Sequence, residues 1–174
     1  VGEYVQSIGE KWDEPEKGGL SDEDIKFIHE VVDFPENSVY EEELCIDFGD
    51  FVVESYVDRS VYPEPMKVEI LDYKTGKIEK KAEFYASKEY KQTRLYALEK
   101  YRQGYEILDC SVHMLGRKGS SLDGAGNFKM RLSGEHKYIP TPFTEKSIKE
   151  VEEYMIETAK NISKDYQLYL KFVS

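Results

Sequence analysis

The sequence predicts an α+β fold: a largely antiparallel sheet of three hairpins plus a C-terminal strand, with helices packed on one face. Three observations carry this expectation. Apolar residues alternate with a period of two through much of the middle of the chain, helix start and stop chemistry brackets three other segments, and glycine-containing turns join the strand-like runs. With 174 residues, 40% of them hydrophobic, the chain is long enough to bury a core, and its 34% of charged residues argue against a membrane span.

The first helix has complete start chemistry. Ser21 and Asp24 are spaced as a capping box, Leu20 and Ile25 occupy the staple positions, and Asp22, Glu23 and Asp24 favour the positive helix end. A helix follows to about Val32, stopped by Phe34-Pro35. Residues 1–20, with Gly9, Pro15, Gly18 and Gly19, read as an extended N-terminal arm, and residues 21–174 as one α+β domain.

Leu44, Ile46 and Phe48 then alternate, the phase slips at Gly49-Asp50, and Phe51, Val53, Ser55 and Val57 continue it, which predicts a first hairpin. A second is expected from Val68 and Ile70, through a turn over Lys74-Thr75-Gly76-Lys77, to Ile78, Ala82 and Phe84. Lys88 to Gln103 is rich in helix formers and ends at Gly104, where a C-cap glycine belongs. Tyr105 to Leu115 alternates strictly, and Asn127 to Ser133 is its expected return strand beyond the loop 116–126. Thr144, Ile148, Val151 and Met155 spell a helix to about Asn161, and the alternating Leu168, Leu170 and Phe172 suggest a last strand.

Charge is divided along the chain. Residues 1–60 hold 18 Asp and Glu against 4 Lys and Arg, whereas residues 61–174 hold 17 against 20. An acidic surface of this kind repels nucleic acid and anionic lipid and speeds encounter with basic surfaces. The leading functional expectation is therefore a non-enzymatic interaction protein. Glu41, Glu42, Glu43, Asp47 and Asp50 would occupy a basic, nucleic-acid-binding surface of a partner protein and inhibit it, in the style of phage or mobile-element inhibitors and immunity proteins. Strand alternation puts Glu42 opposite to Glu41 and Glu43, so this run is read as a negative surface and no metal site is expected. No membrane partner and no cofactor are expected either.

The alternative is an enzyme handling a phosphate ligand. Asp109, Ser111 and His113 share one strand face but stand about 6.6–7 Å apart at each step, too far for a nucleophile and its base. Lys129, Arg131 and Ser133 on the return strand would complete the polar face, with His113, Lys129, Arg131 and Asp109 as its candidate catalytic groups. Arg117, Lys118, Ser120 and Ser121 in the glycine-containing loop would bind the ligand. His29 and His136 are isolated in sequence. Tyr85, Tyr90, Tyr96, Tyr101 and Tyr105 cluster around the second helix among bases, a composition able to stack nucleobases or anchor an interface.

Of the bases there, Lys80 and Lys81 are expected to point to opposite faces of a strand, and Lys88, Lys91 and Arg94 to share a helix side. Against the acidic first third, that patch predicts no specific nucleic-acid binding. Cys45 and Cys110, 65 positions apart in strand-like runs, read as buried reduced thiols of a cytoplasmic protein. Val1 to Ile8 lack a basic region followed by an apolar core, so no secretory leader is expected.

Overall fold

The computed structural model describes residues 1–118, 131–141 and 143–173, with side chains through residue 167. Along them run α1 (Gly2–Gly9), α2 (Asp22–Val31), β1 (Ser38–Asp47), β2 (Val52–Val61), β3 (Lys67–Gly76), α3 (Ile78–Ala86), α4 (Gln92–Arg102), β4 (Glu106–Arg117), β5 (Leu132–Pro140) and α5 (Glu145–Val173). The strands form one sheet in the order β1-β2-β3-β4-β5. The α+β class is as expected, and the sheet is antiparallel except between β3 and β4, which run parallel.

That parallel pair replaces the expected second hairpin. Ile78, Ala82 and Tyr85 recur at i, i+4 and i+7, and they pack as one helical stripe against Val112, Met114 and Ile139. The segment after Gly76 is therefore helix rather than strand, and α3 and α4 make the long crossover that parallel strands require. Lys80 and Lys81 lie on this helix, not on a strand.

The helices cover both faces of the sheet rather than one. On β3, Val68 and Ile70 pack with Tyr96 and Ala97 of α4, while Leu71 and Tyr73 pack with Tyr4 and Val5 of α1 and Ile28 of α2. Alternation along one strand thus feeds two cores. The expected arm is not extended throughout, since α1 buries Tyr4 and Val5. The capping box of α2 forms as its spacing predicts, and the Asp24 carboxylate also accepts the Leu132 N–H at 2.8 Å, tying α2 to β5. Gly104, at φ 90°, ends α4, and Tyr105 N–H bonds the Lys100 carbonyl at 3.0 Å.

Two further expectations change. The last strand is instead a continuation of α5 to Val173, because between Asn161 and Asp165 nothing breaks a helix and three alternating residues fit either period. The strand beside β4 is Leu132–Pro140, later than the expected return strand, whose residues 127–130 lie outside the described residues. Cys110 is buried as expected, but Cys45 is exposed, because β1 is an edge strand and Cys45 falls on its outward phase.

Candidate active site

Although β2 and β3 are each 10 residues long, they pair at three positions only, Arg59↔Leu71, Ser60↔Ile70 and Val61↔Glu69. Beyond Arg59 the strands part, and the Asp58 carboxylate takes the Tyr73 N–H at 2.7 Å that a neighbouring strand would otherwise accept. Beside this split the β1–β2 ladder is interrupted. Tyr40 pairs with Arg59 and Glu42 with Val57 in one unbroken register, so Glu41 and Asp58 stand opposite each other at the one position between them that the ladder skips. Glu41 adopts φ 46°, a left-handed conformation that a non-glycine residue keeps only where its surroundings enforce it.

The adjoining stretch of β3 carries charge on the face that buries Val68 and Ile70 two turns of the pleat earlier. Asp72 is fully buried, and its two oxygens receive Lys74 Nζ at 2.8 and 2.7 Å. Tyr90 OH donates to the same carboxylate at 2.9 Å. From α4, Gln92 accepts from Tyr90 OH at 3.2 Å and its amide donates to Tyr96 OH at 2.5 Å, so a line of polar side chains runs from the helix to Asp72. Helix α1 closes the other side. Gly9 lies against the Tyr40 ring, where a Cβ would stand 2.1 Å from a ring carbon, and the charges of Glu3 and Glu10 are felt at Glu41.

The electrostatics are those of a site short of positive charge. Burial, followed by the charge of Asp58, pushes the Asp72 carboxyl up to about 6 despite Lys74 and Tyr90. Burial also raises Asp58, against the Tyr73 N–H bond and Lys74. Glu41 is raised by burial and then by Asp58, Glu10, Glu3 and Asp72. Lys74 moves the other way: burial opposes its charge, yet Asp72 holds the ammonium above its ordinary value. Asp58 thus raises both Asp72 and Glu41 around one lysine, a balance of charge that favours a further cation beside them.

The residues singled out from sequence are distributed differently. Of the acidic run, Glu41 belongs to this cleft. Glu42 is bound internally: Lys100 Nζ reaches it at 2.6 Å and Tyr62 OH at 2.7 Å, and these bonds hold its carboxyl below the usual range although burial pushes it up. Glu43, Asp47 and Asp50 remain exposed along β1 and its turn.

The expected polar face around His113 is not solvated at its centre. His113 is fully buried, stacked on Tyr138 with centroids 3.9 Å apart and 3.2 Å from the His136 ring nitrogen. Burial and then His136 push its imidazole down to about 4. Across the ladder His113 meets Tyr138, not Arg131. Arg131 stands 3.9 Å from Asp24, and Asp109 is exposed and accepts the Ser111 hydroxyl at 2.9 Å. Arg117 and Lys118 end β4 and line a cleft of about 330 Å³ with Gly76, Lys77 and Ser133. Ser120, Ser121 and Lys129 lie outside the described residues.

The helical trio of bases does not form a patch. Arg94 is buried, its guanidinium bonded to the Ser87 and Lys88 carbonyls at 2.7 and 3.0 Å. Among the five tyrosines, Tyr85, Tyr90 and Tyr96 are core residues and Tyr101 is exposed.

Asp58, Asp72, Lys74 and Gln92 were not legible as a site from sequence. The signal was present in β3: Val68, Ile70, Asp72 and Lys74 share one phase, so a carboxylate and an ammonium continue the buried face of a strand. Among the described residues no three His, Cys, Asp or Glu side chains are already gathered at metal-holding distance.

No family model matches the chain, and no curated protein matches it. One solved structure, described as "Crystal structure of SSO0001", aligns with 16% sequence identity and a TM-score of 0.33, over 78% of this chain and 59% of that one. At that TM-score the likeness does not establish a shared fold.

Proposed function

We propose that the cleft between the splayed ends of β2 and β3 hydrolyses phosphodiester bonds with a divalent cation. The observation that carries this reading is the Asp58–Asp72–Lys74 arrangement: two desolvated carboxylates on separated strands, with a lysine held cationic beside them. Two carboxylates without a closed cage of protein ligands suit Mg²⁺, which keeps several waters and completes its octahedron with substrate phosphate oxygens. Asp58 and Asp72 would be those ligands, with Glu41 beside them.

A bound cation supplies polarisation of the phosphoryl oxygen and a more acidic water. The water oxygen would add to phosphorus and give one proton to solvent, while the P–O bond to the leaving oxygen breaks and that oxygen takes a proton from solvent. Lys74 is unsuited as a base, because Asp72 keeps it protonated. It is placed to stabilise the charge that develops on the phosphoryl oxygens. Tyr90 and Gln92 hold Asp72 in orientation, so they are positioning residues.

The test is cleavage of an end-labelled oligonucleotide by the purified chain with Mg²⁺ or Mn²⁺ and with a chelator. Cleavage abolished by chelation and by Asp58→Asn supports the reading, and cleavage indifferent to either refutes it. A second reading keeps one observation in its favour. Glu43, Asp47 and Asp50 present an exposed acidic edge on β1, which suits the inhibition of a basic partner.

A further inference from the structure

The segment between β3 and α4 carries a second surface. Helix α3 packs across β4 and β5. At about 100° per residue, Ile78, Ala82 and Tyr85 form its inward stripe, Lys80, Lys81 and Phe84 fall within one arc of about 100°, Glu79 and Glu83 lie on the remaining side, and Lys77 is the N-cap residue that precedes them. Bases and acids are therefore sorted onto separate faces of one short helix. All three lysines are exposed, and Phe84, which has no polar tip to explain its position, is 49% exposed.

This face is physically continuous with the site. The Phe84 ring stands 5.8 Å from Tyr90 in an edge arrangement and 5.5 Å from Tyr85, while Tyr90 OH is bonded directly to the Asp72 carboxylate. Lys81 folds back toward Gly76, two residues beyond Lys74. The sheet edge that α3 covers, β4 and β5, is opposite to β1 with its exposed acidic residues.

We infer that the Lys77–Lys80–Lys81–Phe84 face of α3 is a platform for single-stranded nucleic acid, the lysines meeting phosphates and Phe84 stacking a base. The inference rests on the hydrolytic reading for its choice of polymer. It selects single strands because the faces of bases in a duplex are covered by their neighbours, whereas an exposed ring among lysines matches an unpaired base and its phosphates.

The experiment is fluorescence anisotropy with a labelled oligothymidylate, free or annealed to oligoadenylate, in chelator so that no hydrolysis intervenes. Wild type binds the free strand more tightly than the duplex. Phe84→Leu, which keeps the helix and its apolar contact with Tyr85, weakens the free strand by about 5- to 100-fold and leaves the salt slope unchanged. Lys80→Gln with Lys81→Gln lowers the salt slope by about 1.4. Equal affinity for duplex, or Phe84→Leu binding within about twofold of wild type at an unchanged melting temperature, overturns the platform. Cleavage that survives together with an unchanged Phe84→Leu affinity overturns the platform and leaves the hydrolytic reading intact. Binding with the expected ranking but without cation-dependent cleavage supports the platform and refutes hydrolysis.

Discussion

Asp72→Asn separates the needs of the site from the needs of the fold. The substitution is nearly isosteric, leaves Tyr90 OH a carbonyl to donate to, and removes a fully buried charge. In the folded protein the Asp72 carboxyl titrates at about 6, above the roughly 3.9 of an unfolded chain. The folded state therefore binds the proton more readily, and stability falls as pH rises through the interval between those values. Two pKa units correspond to about 3 kcal/mol, present below about pH 4 and lost above about pH 6.

Urea denaturation across that interval measures it. Wild type loses stability with rising pH, and the difference between wild type and Asp72→Asn shrinks or reverses in favour of the variant near neutrality. Asp58 is raised without help from Asp72 and remains in both proteins, whereas Glu41 is raised in part by Asp72, so the difference reports Asp72 together with its effect on Glu41. Adding Mn²⁺ at neutral pH restores wild-type stability and leaves the variant unchanged. Parallel pH profiles for the two proteins would refute the assignment of a desolvated, unbalanced charge to Asp72.

Lys74→Gln removes the stabilising charge and lowers the rate of oligonucleotide cleavage by about 10²–10³-fold, with oligonucleotide affinity in chelator changed far less, as anisotropy checks. Ser21→Ala removes one half of the capping box and costs about 1 kcal/mol in denaturant titration, without effect on cleavage. Gly116→Ala puts a Cβ 2.2 Å from Ser133 Oγ and 3.0 Å from the Glu135 carbonyl oxygen, so it destabilises the β4–β5 pair by about 1–3 kcal/mol, measured as a lowered Tm. Neutralising Glu43, Asp47 and Asp50 together leaves cleavage unchanged. If it instead slows capture of a basic partner and flattens its salt dependence, the acidic-edge reading gains.

What the sequence disclosed was local. Ser21 and Asp24 announce α2, Gly49-Asp50 marks the β1–β2 turn, and the alternation from Leu108 to Met114 marks β4, because caps, turns and pleats are written within a few residues. The parallel pairing of β3 with β4 is not written locally, since about 30 residues of crossover separate the partners. The site was hidden for a related reason. Asp72 and Lys74 look like a charged turn until Val68 and Ile70 are seen to share their phase, and Asp58 matters only because β2 joins β3 no earlier than Arg59. The acidic run was visible, but its division into a cleft residue (Glu41), an internal ion pair (Glu42) and a free edge (Glu43) follows from the left-handed backbone at Glu41 and from Lys100, 58 positions away.

The central claim is that Asp58 and Asp72 hold a divalent cation between the parted strands, and isothermal titration of the chain with Mn²⁺ at neutral pH tests it most directly. The account predicts one site in wild type that competes with Mg²⁺, weakens by at least about tenfold in Asp58→Asn and in Asp72→Asn, and keeps its affinity when Glu43 and Asp47 are neutralised. Mn²⁺ binding of equal strength in wild type and in both cleft variants, or no binding to wild type, would contradict it.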